Sequence, residues 1–184
     1  MKGTIFIALN QMIEERHGLE LWLSILDEAE SDGIFFGTKN YPDDNLFRIV
    51  EATCHQLNVS PPEALRAFGE YLFQFLHSAH PVFATSQTDF YSFIQSIDGV
   101  IHVEVHKLDE EAQTPDIKVQ QLSEHEALLD YHSDRKLCFL AEGLLIGASQ
   151  HYGIQLSIEQ TQCMHEGAKH CQLRLTSSPT NDRE

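Results

Sequence analysis

Basic side chains are scarce in this sequence, and the scarcity narrows what it can bind. Lys and Arg number 12 against 28 Asp and Glu, a formal charge of −16. A surface that acidic repels phosphate instead of releasing counterions, which argues against nucleic acid and anionic membranes as partners. Long apolar runs are missing too. None approaches the ~20 residues that cross a bilayer, and the opening MKGTIFIALNQMIEE has no signal-peptide h-region or cleavage site. The chain is therefore expected to be cytoplasmic. Only 4 Cys occur, and in that compartment they are thiols or metal ligands sooner than a disulfide framework. No internal repeat or interdomain linker is visible, and 184 residues suit one domain with a core able to enclose a cofactor.

What is present begins with helical periodicity. Ile5, Phe6, Leu9, Met12 and Ile13 share one face of a helix ending near Gly18, and Leu21, Trp22, Ile25 and Leu26 make a second, closed by Ser31-Asp32-Gly33. Asp43-Asp44 is expected to cap a third helix carrying Leu46, Phe47, Ile49, Val50 and Leu57. Ser60-Pro61-Pro62-Glu63 has capping-box spacing with Pro at the first helical position. The helix it opens runs through Leu65, Phe68, Leu72, Phe75 and Leu76 and breaks near His80-Pro81; Asp89 can cap the next.

The later part changes character. Ile117–Leu122 and Ala127–Ser133 read as two strands, Lys136–Tyr152 as a helix stopped at Gly153, and Ile154–Met164 with His170–Thr176 as a final hairpin around Glu166-Gly167. The fold class is α+β: a helical N-terminal lobe, about residues 1–60, joined to an α/β lobe, about 61–176, with 177–184 a disordered tail.

Two stretches carry chemistry. In SIDGVIHVEVHKL, Ser96 to Leu108, the residues Ile94, Ile97, Ile101, Val105 and Leu108 repeat at three and four, so a helix would direct His102 off a different face. Ile101, Val103 and Val105 also alternate with His102, Glu104 and His106, so a strand stays open. A neutral imidazole held by a packed backbone can ligate a haem iron. In DYHSDRK, Tyr131, Ser133 and Arg135 offer two hydroxyls and a guanidinium, a donor set for paired carboxylates on a flat ligand. In the C-terminal part, Cys138 on the helix and Cys163 facing Cys171 across the hairpin could meet at one tetrahedral zinc. Cys54, on an apolar helix face, is core.

The opening MKGTIFIAL, His102, Pro115 and the Y-x-S-x-R pattern, in this register, resemble the haem-nitric oxide/oxygen binding (H-NOX) domains, relatives of the sensor domain of soluble guanylate cyclase. The resemblance runs from Met1 to about Leu175. It implies haem b ligated by His102, with Tyr131, Ser133 and Arg135 on the propionates and Pro115 pressing on the porphyrin. It places Ile5, Leu9, Gln74, Ser78, Leu140 and Leu144 around the gas. Relatives that hold oxygen carry Tyr at the position of Leu140, so NO and CO are the expected ligands here. Some relatives also hold zinc with a His three residues before the first hairpin Cys, where this chain has Gln160. The fourth ligand would then be His165 or His170, or the cluster is a thiol group without metal, able to form a Cys163–Cys171 disulfide.

The function implied is a non-catalytic gas sensor of bacterial type. NO-induced release of His102 would change a separate partner, a sensor histidine kinase or a cyclic-di-GMP enzyme. The alternatives are a haem-free zinc or thiol redox-sensing interaction module, and a haem enzyme acting on NO or peroxide.

Overall fold

The computed structural model describes residues 1–108, 110 and 112–179. Helices α1 (Gly3–His17), α2 (Leu19–Glu28) and α3 (Asp43–Leu57) are followed by the long α4 (Pro61–Ala79), the short α5 (Val82–Thr85) and α6 (Phe90–Ser96). A π-helical turn, Ile97–His102, joins α6 to α7 (Val103–Leu108). Strands β1 (Asp116–Ser123) and β2 (Glu126–His132) come next, then α8 (Cys138–His151), β3 (Ile154–Gln162) and β4 (Cys171–Pro179). The sheet is antiparallel in the order β1-β2-β4-β3. Among the described residues no helix is long and apolar enough to cross a membrane.

Two of the expected caps form. The Ser60 hydroxyl accepts from the Glu63 amide while the Glu63 carboxylate accepts from the Ser60 amide, a complete capping box at the start of α4. Asp89 accepts from the Ser92 amide at 2.9 Å and opens α6. The cap expected of Asp43-Asp44 does not form. Pro42, in extended conformation, takes the N-cap place, and Asp43 becomes the first helical residue with its carboxylate turned away from the helix amides. At the other end, β4 runs on to Pro179, into the stretch expected to be disordered; residues 180–184 lie outside the described residues.

Two apolar clusters make the core. The first joins α1, α2 and α3 to Leu65, Phe68 and Leu72 of α4 and to Leu137 and Leu140. The second gathers Phe73, Phe90, Phe93 and Ile94 against Ala127, Leu129 and Tyr131 of β2 and Cys171, Leu173 and Leu175 of β4. Those strand residues face each other in register, Ala127 with Leu175, Leu129 with Leu173, Tyr131 with Cys171, so alternation buries one face of the sheet. The division between clusters falls inside α4 and α8, which serve both, and not at residue 60.

These two helices meet backbone to backbone. A Cβ at Gly69 would lie 2.2 Å from the Leu140 carbonyl oxygen, and one at Gly143 would lie 2.1 Å from that of Arg66. Only glycine permits the approach. Buried Glu142 pairs with Arg66 across the seam, and Gln150 donates to Glu70 at 2.6 Å.

Candidate functional site

His102 is the last residue of the π turn, whose wider winding leaves Asp98 four positions back beside its ring. No residue of the turn is buried; Ile97 and Ile101 pack partly against the second cluster, which contains Ile94. The His102 side chain is 14% exposed, with Nδ1 3.4 Å from Asp98 Oδ1. Burial pushes its pKa below the ordinary imidazole value, and Asp98 only partly opposes the shift. The ring is therefore neutral near pH 7. With Asp98 drawing the proton to Nδ1, Nε2 carries the lone pair, the arrangement a metal-ligating histidine needs.

Tyr131 is buried on β2, its hydroxyl pushed up to about 12 by burial. Ser133, just past the strand, accepts from the Arg135 amide at 3.3 Å and so shapes the turn. The Arg135 guanidinium reaches across the molecule. Its Nε donates to Asp43 Oδ2 at 2.6 Å and its terminal nitrogens to the Gln113 carbonyl and side-chain oxygens at 2.6 and 2.9 Å. Asp43 also takes the Met1 amino group at 2.7 Å. Burial alone would raise the Asp43 pKa, but the hydrogen bonds from Arg135 and Met1 outweigh it and hold the carboxyl below its usual range. Those contacts use three of the five N–H groups of a guanidinium, so the fork can still meet a further carboxylate. Pro115 is half-buried in the loop before β1.

Of the six residues expected around the gas, four come together. Leu9 and Leu140 belong to the first cluster, and Ile5 and Leu144 pack against it. Gln74 and Ser78 do not join them. Both are exposed on α4, the Gln74 amide donating to the Gly147 carbonyl at 3.5 Å and the Ser78 hydroxyl to the Gln74 carbonyl at 2.8 Å. The inward face of α4 is Phe68, Leu72, Phe75 and Leu76. Phe75 is the residue missed there, and its spacing from Phe68 and Leu72 would have revealed it. Asp98 was legible as the residue one turn before His102.

The three cysteines do converge. The sulfurs of Cys138, Cys163 and Cys171 all lie within 4.8 Å of one another, and all three residues are buried. Burial pushes the Cys138 thiol up to about 12 and raises that of Cys171, so both are protonated as they stand. Neither expected fourth ligand is with them. His165 stacks on Phe139 and its Nε2 sits 2.9 Å from the Lys136 carbonyl, while His170 pairs with Asp130 at 3.5 Å. Cys54 is buried in the first cluster.

The fold is an α+β domain that carries a neutral, largely buried imidazole and, on and after β2, a phenol, a hydroxyl and a guanidinium suited to paired carboxylates. Comparison with known proteins gives the class its name. A family model described as haem-NO-binding matches residues 2–160. The chain belongs to this family, and its cofactor is haem iron. A crystal structure of an H-NOX protein from S. oneidensis in the Fe(II)NO ligation state is 38% identical, with TM-score 0.91 over 97% of this chain and 99% of that one. An NMR structure of the SO2144 H-NOX domain from Shewanella oneidensis in the Fe(II)CO ligation state is 38% identical, with TM-score 0.88 over 99% of this chain and 100% of that one. The unliganded Fe(II) H-NOX protein from K. algicida, 21% identical with TM-score 0.87 over the full length of both chains, shares the fold. No curated protein matches.

The residues fit the cofactor: the neutral imidazole of His102 has a nitrogen free for a metal, and the buried phenol of Tyr131, the Ser133 hydroxyl and the Arg135 guanidinium are donors of the kind two carboxylates would take.

Proposed function

We propose that this chain is a cytoplasmic, non-catalytic sensor of nitric oxide that reports to a separate signalling protein. His102 is the proximal ligand, Tyr131, Ser133 and Arg135 hold the propionates, and Pro115 packs against the porphyrin. When bound, haem b supplies a ferrous iron that takes NO or CO on its free side. The observation that carries the proposal is the neutral His102 imidazole on a π turn with no buried residue of its own. Such a turn can hold the ring for ligation and still move as a unit once His102 is released.

Selectivity follows from the wall. Ile5, Leu9, Leu140 and Leu144 offer no hydrogen-bond donor, and the polar groups of Gln74 and Ser78 are engaged elsewhere, the Gln74 amide on the Gly147 carbonyl of α8 and the Ser78 hydroxyl on the Gln74 carbonyl. A gas that gathers negative charge on binding, as oxygen does, needs such a donor; NO and CO do not. The same wall lacks the acid and base that peroxide or NO turnover would use. Arg135, bonded to Asp43 at the start of α3, links the propionate loop to the helical lobe, so motion at the cofactor reaches the surface a partner reads. A sensor histidine kinase or a cyclic-di-GMP enzyme is the partner class that fits.

The test is spectroscopic. The anaerobically reduced protein should show five-coordinate haem that ignores air and becomes a five-coordinate nitrosyl with NO. His102→Gly supplemented with imidazole should keep haem yet lose the NO effect on the partner. A stable oxygen complex would overturn the role given to Leu140, and an unchanged NO response in His102→Gly would overturn His102 release as the switch.

A further inference from the structure

We infer that the pocket formed by Cys138, Cys163 and Cys171 is a trigonal site for one soft monovalent ion, Cu(I), and that Gln160 leaves it ill suited to zinc. Structural zinc takes four Cys or His ligands in a tetrahedron. Here three sulfurs converge without a fourth: among the described residues no further His, Cys, Asp or Glu joins the group. The two nearby imidazoles are fixed elsewhere, His165 on Phe139 and the Lys136 carbonyl, His170 on Asp130. Soft sulfur ligands suit Cu(I) and zinc alike; what separates the two ions here is the fourth ligand, which structural zinc takes and a trigonal Cu(I) site does without.

The distances suit one central ion. Sulfurs ~2.3 Å from a shared ion stand ~4 Å apart in a triangle, and the three thiols already lie within 4.8 Å of one another. Closing on an ion therefore asks for shifts below about an ångström, without rebuilding the hairpin. Cys138 heads α8, Cys171 heads β4, and Cys163 follows a register irregularity between Gln160 and Gln162 that ends β3. The ion would lie where helix and sheet meet, out of water, near the Met164 amide that donates to the Cys171 sulfur at 3.2 Å.

Gln160 explains why this is not a zinc site with a ligand mislaid. Its side chain already interacts with the Cys138 sulfur, a weak acceptor while protonated, and its buried Nε2 has no other acceptor. An orphaned buried N–H is costly unless an acceptor arrives. A Cys138 thiolate is that acceptor, so the amide supports sulfur charge from outside the coordination sphere. Turned over, the amide would offer a neutral oxygen, poorly matched to a soft ion. On binding, two thiols give up their protons to solvent and the third sulfur coordinates as the neutral thiol, which keeps the buried charge at one.

The experiment uses the reduced full chain under anaerobic conditions. Cu(I) is titrated in competition with bathocuproine disulfonate, and Zn2+ in competition with a chromophoric pyridylazo chelator. One Cu(I) per chain is expected, with near-ultraviolet sulfur-to-copper absorption that weakens in Cys163→Ser or Cys171→Ser, where two sulfurs remain, and is lost in the Cys163→Ser/Cys171→Ser double variant. Gln160→His should raise zinc affinity ~100-fold or more, the scale on which ligand-sphere changes act, and change Cu(I) affinity far less. Because Gln160→His is a gain of binding, misfolding cannot imitate it. Zinc held as tightly by the native chain as by Gln160→His would overturn the inference, as would Cu(I) absorption that survives the Cys163→Ser/Cys171→Ser double variant. Haem absorbance is read separately, so failure of the gas-sensor proposal would not be confused with failure here.

Discussion

The α4–α8 seam and the Ile97–Leu108 segment are both helical, yet they are built to opposite ends. Along the seam, glycines bring two backbones into contact, and a buried carboxylate pairs with Arg66 across it. A displacement there meets main-chain atoms, which cannot rotate aside. Around His102 the helix is wound wide, Gly99 has nothing near its missing Cβ, and Val100 and Val103 are 50% and 43% exposed. A displacement here meets no closely packed main chain. The difference separates the part of the molecule that fixes the gas-facing wall from the part that can respond, and it lets a ligand histidine move without loosening the wall opposite.

Substitutions can break that contrast. Gly143→Ala should cost about 3 kcal/mol, at the upper end of overpacking, read as a fall in the urea midpoint, because its methyl would collide with the Arg66 carbonyl oxygen. Gly99→Ala, the matching change in the loose segment, should stabilise by up to about 1 kcal/mol, since open space accepts the methyl and the unfolded chain loses freedom. Equal destabilisation by both would erase the distinction.

Arg66→Ala comes next. It leaves Glu142 buried without its partner and should destabilise by about 2 to 3 kcal/mol, less than a fully buried pair would, because Arg66 keeps one side in water. The Glu142 Oε1 atom already lacks a hydrogen bond, so Glu142→Gln should recover part of the loss in the Arg66→Ala background. Chemical denaturation of the single and double variants measures both.

The smallest effect should be the pH dependence at His102. Its folded pKa is lowered by burial, so above about 6.5, the ordinary imidazole value, folded and unfolded chains both carry it neutral and it makes no demand. As pH falls below that value the unfolded chain takes the proton first, and stability declines until the folded ring is protonated too. In apoprotein, His102→Gln should flatten this part of the stability profile below about pH 6.5. A profile unchanged by the substitution would mean that burial does not govern the ring.

Local signals in the sequence were reliable where neighbours alone decide the outcome. The Ser60–Glu63 box, the Asp89 cap and the alternation of Ala127, Leu129 and Tyr131 are settled within a few residues, and each formed. Asp43-Asp44 failed as a cap because Pro42 could start the helix one residue earlier, which freed Asp43 for Arg135, 92 positions away. Nothing local announces such a partner. Family register puts Gln74 and Ser78 beside the gas, whereas the helix phase of Phe68, Leu72 and Phe75 leaves both exposed, Gln74 against the Gly147 carbonyl of α8. The π turn stayed hidden because Ile97, Ile101 and Val105 satisfy a three-four repeat while Ile101, Val103 and Val105 also alternate. The thiol trio was legible as three cysteines; the fate of His165 was not, because it depends on the face of Phe139 and a carbonyl at Lys136.

The glycine seam also bears on how the chain reaches this fold. Arg66 and Glu142 are 76 positions apart, and the helices they sit on are shared by both apolar clusters. A large loop must close before either cluster is complete, and closing it is an entropic cost that nearby contacts cannot offset in advance. Helices α1 to α3 can form early on their own periodicity, but they have no finished floor until Leu137 and Leu140 arrive from far downstream. The two halves must therefore be acquired in one late, cooperative event, and refolding should report a single transition whose rate is set by the docking of α8 onto α4.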